Sequence, residues 1–201
     1  MPALHGWTNA DVAEPITGVL AMGSLQNTLR GRVGEGPVAT RLVAVGDALC
    51  HTDPVLALGL SFSLIHASAL AAALREHEDD LDGAALAFDA AVRPDIEERF
   101  AQASNLDDAR SRRWSGEQLD IWRRDGGAYE TFAIVAGYAA GRVDPEIFRA
   151  VVRRHTFLDR VGRLDADPDL LARIERIVAA LPAPVRPGPE RDELVEVVAR
   201  A

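Results

Sequence analysis

The sequence predicts a mainly α chain with a small β part, an α/β fragment in which a strand–loop–long helix unit precedes a helical C-terminal region. Three observations carry this expectation. Residues 41–74 pass from a short apolar run through a polar, proline-bearing loop into a long alanine- and leucine-rich stretch. From Ala84 onward the apolar residues recur at helical spacing almost to the end of the chain. Asp-Pro pairs then stand where helices start, at Asp144-Pro145 and at Asp167-Pro168.

Residues 1–15 carry no start-like pattern, and Glu14-Pro15 introduces extended backbone. Ile16 to Met22 is short and apolar and reads as a strand, either a plain core strand or one whose Met22 end lines a pocket. Asn27 to Arg30 reads as a strand or turn, and Gly34-Glu35-Gly36-Pro37 as a loop. Arg30 and Arg32 are candidates for a phosphate or carboxylate contact, with solvated arginine as the plain alternative.

Leu42-Val43-Ala44-Val45 reads as a buried strand. It stops at Gly46-Asp47, a glycine for the turn and a carboxylate at the strand's carboxyl edge. Cys50, His51, Thr52, Asp53 and Pro54 form the loop, and Gly59 opens a helix from about Leu60 to about Leu74. A helix start offers unpaired N–H donors and a partial positive charge. Ligands of open α/β sheets sit beyond the carboxyl ends of strands. Strand end, loop and helix start therefore suit an electron-rich ligand group.

Residues 77–83 form an acidic turn, for which a solvated loop is the plain reading and metal ligation the sharper one. Leu86, Phe88, Val92, Ile96 and Phe100 mark the next helix, with Pro94 as a potential kink. That helix is expected to run through the charged stretch 107–113 and past Trp114 and Trp122 until Gly126-Gly127 breaks it. Tyr129 to Tyr138 gives another helix ended by Gly141. The two Asp-Pro starts give two more, and Pro182 to Pro189 a linker before a last short helix from Arg191 to Arg200.

Composition narrows the function classes. An apolar fraction of 48% supports a core, and no run of eighteen apolar residues suggests a membrane span. No basic-then-apolar leader opens the chain. A single cysteine excludes an internal disulfide and fits a reducing, cytoplasmic setting. The net charge of −9 argues against a nucleic-acid partner. All 22 basic residues are arginine. Cys50-His51 adjacency makes no activated dyad without a third group, although a position near a helix start lowers a thiol pKa. No Gly-x-Ser-x-Gly elbow occurs.

Gly46, Asp47, Ala48, His51, Pro54, Gly59, Ala67, Ala69 and Leu70, in this order after an apolar strand, resemble the second flavin-binding motif of FAD-dependent monooxygenases of the aromatic-hydroxylase type and their wider oxidoreductase superfamily. The resemblance implies FAD as cofactor, with NAD(P)H as electron donor and a small organic substrate. It implies that Gly46 belongs to the cofactor-binding residues, that Asp47 hydrogen-bonds a ribityl hydroxyl, that Pro54 lies by the isoalloxazine ring, and that the helix start at Gly59, Leu60 and Ser61 points at the flavin N1–C2=O edge. It also implies an organisation: residues 1–40 as the end of a substrate-domain sheet, 41–106 as the flavin-binding unit and following helix, 107–181 as the helical C-terminal region, and 182–201 as linker and terminal helix. In that region Trp114, Trp122, Tyr129 and His155 are the residues most able to touch a substrate, a core role being the alternative.

Two departures stand out. The family turn usually reads Gly-x-Gly, whereas this one reads Ala57-Leu58-Gly59. No Gly-x-Gly-x-x-Gly fingerprint for the ADP part of FAD occurs in the 201 residues, so the resemblance implies the C-terminal part of a larger, truncated flavoprotein. The competing expectation is a non-catalytic helical interaction module that keeps a relic of the flavin motif.

Overall fold

The computed structural model describes residues 11, 14, 16–18, 20, 25–33, 36–37, 41–160, 162–182, 195–196 and 199. Over these the chain is mainly helical with a small β part. Two-residue strands β1 (Thr28–Leu29), β2 (Arg32–Val33), β3 (Gly36–Pro37) and β4 (Cys50–His51) make two small antiparallel pairs, β1 with β4 and β2 with β3. Helices α1 (Gly59–Glu76), α2 (Leu81–Trp114), α3 (Tyr129–Gly141), α4 (Pro145–His155), α5 (Gly162–Asp165) and α6 (Pro168–Ala180) follow among the described residues.

The helix starts obey the chemistry of their caps. Asp80 accepts from Gly83 N at 2.8 Å, which begins α2 at Leu81 rather than at Ala84. Asp144 accepts from Glu146 N and Ile147 N at 3.0 and 3.2 Å, and Asp167 from Leu170 N at 2.9 Å, each followed by proline at the first helical position. Pro94 lies inside α2 on its exposed side, as does Ala90 four residues earlier, whose carbonyl proline leaves without its helical donor.

Three sequence expectations are corrected. Val45 is extended, at φ −132° and ψ 157°, but Leu42–Val45 belongs to no sheet among the described residues, and Leu42 is 76% exposed. An apolar run promotes burial, whereas a strand also needs a neighbouring backbone, and none is present among the described residues. Cys50 and His51, placed in a loop, instead form β4. The helix expected to reach Gly126 ends at Trp114, because Gly116, at φ +96°, bonds Arg113 O and Glu117 N bonds back to Arg112 O. A glycine in the left-handed region just past a helix is a stop signal, so the informative pair is Ser115-Gly116. The described part of the proposed Ile16–Met22 strand, residues 16–18 and 20, carries no strand, and Met22 lies outside the described residues. The linker and terminal helix expected over 182–200 fall largely outside them too. The position between 106 and 107 lies inside α2.

Two apolar clusters form the core. Leu49, Cys50, Leu58, Phe62, Phe88, Val92 and Ile96 join β4, α1 and α2. Phe132, Ala136, Ile147, Val151, Leu171 and Ile174 join α3, α4 and α6. Gly137 lets α3 and α4 close up, since a Cβ there would stand 2.7 Å from Val151 Cγ2. Arg99 on α2 ties the clusters together. Its guanidinium donates to the carbonyls of Arg154 and Asp159 and lies 4.2 Å from the centre of the Phe157 ring. No helix among the described residues is long and apolar enough to cross a membrane.

Candidate functional site

The segment 46–59 folds back on the first turns of α1. Gly46–Ala48 makes one 3₁₀ turn, and Gly46 sits at φ +56°, where a side chain is strained. Space favours glycine as well, because a Cβ would stand 2.7 Å from Ser63 Oγ on α1, which would have to turn away from its bond to Gly59 O. Pressed against α1 in this way, the turn carries Asp47 to the helix start, where a Cβ on Gly59 would lie 3.3 Å from Asp47 Oδ1.

A second 3₁₀ turn, Pro54–Leu56, closes the other side. Asp53 caps it by accepting from Val55 N at 2.9 Å, and Asp53 is itself anchored. Its N–H donates to Asn27 Oδ1 at 2.7 Å, and its carboxylate meets Arg110 Nη1 at 2.6 Å. Asn27 also donates to Asp107 at 2.6 Å, so β1 and α2 both hold the loop. The Val55 amide, with Arg110 behind it, keeps the Asp53 carboxyl below the usual range, while burial raises Asp107. The turn ends at Ala57, at φ +54° and ψ 31°, which is left-handed backbone on a residue with a side chain.

Between the two turns lies a hollow of about 310 Å³, walled in part by Asp47, His51, Pro54, Ala57, Gly59 and Leu60. The start of α1 opens into it without a side-chain cap, because Leu58 occupies the capping position. The first intrahelical bond there runs from Phe62 N to Leu58 O, so the N–H groups of Gly59, Leu60 and Ser61 precede the ladder. One exposed carboxylate therefore stands beside three backbone donors and the positive end of an eighteen-residue helix.

Of the residues singled out from sequence, Asp47, Pro54, Gly59 and Leu60 share this hollow. Gly46 is buried behind it and Ser61 is half-buried one position further along α1. The aromatic candidates lie elsewhere. Trp114 is 82% exposed at the end of α2, Trp122 and Tyr129 pack on the second cluster, and Tyr129 donates to Asp165. His155 hydrogen-bonds the backbone of Leu56. Arg30 donates to the carbonyl of Asp47 at 3.2 Å and so braces the turn rather than facing the hollow. In the acidic stretch Asp80 caps α2 and Asp82 pairs with Arg41 at 3.1 Å.

Cys50 requires a correction. Its thiol is fully buried, and burial pushes its pKa up to about 11 against the pull of Arg93. It is a packing group, not a lowered-pKa nucleophile.

His66 was not singled out from sequence. It is fully buried on α1, and its Nδ1 accepts the Gly46 N–H at 2.9 Å. A lone histidine in an alanine-rich helix gives no local signal, because its partner is 20 residues away.

Compared with known proteins, the chain matches no family model, no curated protein and no solved structure.

Proposed function

We propose that the hollow is the flavin side of an FAD-dependent oxidoreductase of the NAD(P)H-using monooxygenase type, acting on a small organic substrate. The observation that carries this reading is the uncapped start of α1 beside the exposed Asp47 carboxylate. A carboxylate accepts from a polyol hydroxyl, and free helix N–H groups favour a carbonyl edge that becomes anionic on reduction. The donor set thus fits the ribityl and pyrimidine parts of a flavin, with Asp47 as acceptor, Gly59, Leu60 and Ser61 as donors, and Pro54 as an apolar wall. When bound, flavin supplies the redox chemistry, taking electrons from a nicotinamide and passing them to oxygen, and the chain supplies orientation and electrostatics. Nothing in the sequence provides a cradle for the ADP part, so the chain alone is expected to bind FAD weakly.

A fluorescence titration of the purified chain with FAD tests the reading. Saturable quenching is expected, with affinity lowered about tenfold or more in Asp47→Ala, the scale of one hydrogen bond to a charged group. Unchanged affinity in that variant, or no binding by the unaltered chain, overturns it.

A second reading is a non-catalytic interaction module with a relic flavin motif. Its support is the outer face of α1, where no charged residue occurs from Gly59 to Leu74 and where Leu60 and Leu64 are 74% and 64% exposed. Large apolar side chains grouped on an uncharged helix face are normally covered. Yellow bound flavin favours the first reading. A colourless chain whose self- or partner association depends on Leu60 favours the second.

A further inference from the structure

We propose that His66 is the positioning residue of the hollow: by accepting the Gly46 N–H, its imidazole holds the left-handed turn that presents Asp47 to the start of α1. The ligand-binding part of this assignment rests on the flavin reading, whereas the hydrogen bond can be tested without any ligand.

The surroundings of His66 are those of an apolar core residue. Phe62 stacks on the ring at 5.8 Å, and Phe88 of α2 meets it edge-on at 6.2 Å. Leucine or phenylalanine would fill such a site without a polar atom. The imidazole instead carries a penalty, because Nε2 is buried without a hydrogen-bond partner among the described residues. One ring nitrogen accepts from an amide, so the neutral ring carries its proton on the other, and the unpaired group is the Nε2–H. What the histidine adds at this cost is a single acceptor at Nδ1.

That acceptor goes where the chain needs one. Gly46 is buried, its φ is +56°, and its N–H would otherwise be a buried orphan in a turn that belongs to no sheet. The bond reaches across 20 residues and ties the turn to the second turn of α1, while the lack of a side chain at Gly46 lets it lie against Ser63. With the turn fixed on α1 at these two points, the following residue, Asp47, falls at Gly59. Burial and the positive charge of Arg93 on α2 both hold the ring neutral, the state in which Nδ1 can accept.

Nitrogen-15 NMR of the full chain, with amide exchange and FAD titration of His66→Asn and His66→Leu, tests this assignment. Asparagine can place Oδ1 where Nδ1 stood, and leucine cannot. In the unaltered protein the Nε2–H tautomer is expected. In His66→Leu the Gly46 amide should exchange at least about tenfold faster with the Ile96 amide unchanged, and in His66→Asn it should stay near the unaltered rate. FAD affinity should follow the same order. Equal Gly46 exchange in the leucine variant and the unaltered chain overturns the proposal. So does an Nδ1–H tautomer in the unaltered chain, a readout that holds even where the leucine variant fails to fold. If the unaltered chain binds no FAD, the flavin reading falls while the tautomer and the Gly46 exchange still decide whether His66 holds the turn.

Discussion

Arg154 Nη2 stands 2.8 Å from Glu130 Oε2, and both side chains are buried, at 3% and 10% exposure. The pair joins α3 to α4 inside the second cluster. Removing one partner of a buried pair leaves an uncompensated charge, which costs about 3–5 kcal/mol. Glu130→Ala should therefore lower the urea midpoint far more than truncating an exposed partner such as Asp125, whose pair with Arg123 lies in solvent. A loss below about 1 kcal/mol for Glu130→Ala would show that the pair is solvated in solution.

Ala57 occupies the left-handed region that glycine enters freely. An L side chain there costs about 1–2 kcal/mol, against the roughly 0.5–1 kcal/mol of backbone entropy that glycine loses on folding. Ala57→Gly is expected to stabilise the chain by up to about 1 kcal/mol, read as a higher urea midpoint at unchanged slope. A destabilised variant would place Ala57 outside this conformation.

Gly137→Ala sets helix propensity against space. Alanine gains about 1 kcal/mol in a helix interior, but its Cβ would meet Val151 Cγ2 at 2.7 Å, and overpacking of this kind costs about 1–3 kcal/mol. The β-branched Val151 has little rotamer freedom to retreat, so net destabilisation is expected. Val151→Ala in the same background should recover part of the loss. A stabilised Gly137→Ala protein would mean that α3 and α4 stand further apart.

His66 and His155 are both held below the ordinary histidine value of 6.5, chiefly by burial. Unfolding releases them to titrate near 6.5, so below that pH the unfolded chain binds more protons than the folded one. Their contribution to stability is complete above 6.5 and is lost as pH falls through the lower folded values. Urea midpoints should drop between about pH 7.5 and about pH 5.5, a window above most carboxylate titration. A midpoint constant over that interval would overturn the burial of both rings.

How much of this was legible in the sequence varies with the range of the interactions. Asp144-Pro145 and Asp167-Pro168 announced α4 and α6 because a cap and its first turn are neighbours in sequence. Gly46, Asp47, Pro54 and Gly59 could be read in order for the same reason. Leu42–Val45 misled because β-branched apolar residues report a preference for burial, while pairing depends on a distant strand. Cys50 misled because a helix start nearby in sequence says nothing about how deeply the thiol is buried. His66 was silent, since its function is defined by a hydrogen bond to Gly46 that no local pattern encodes.

Arg99 joins the two clusters through carbonyl oxygens and an aromatic face rather than through a carboxylate. Carbonyls do not take up protons in the range where aspartate and glutamate are neutralised, and a buried guanidinium stays charged throughout it. The Arg99 contact is therefore acid-blind: acidification that protonates His155 or neutralises Glu98 elsewhere along the same seam leaves the charge and the acceptors of this one contact in place.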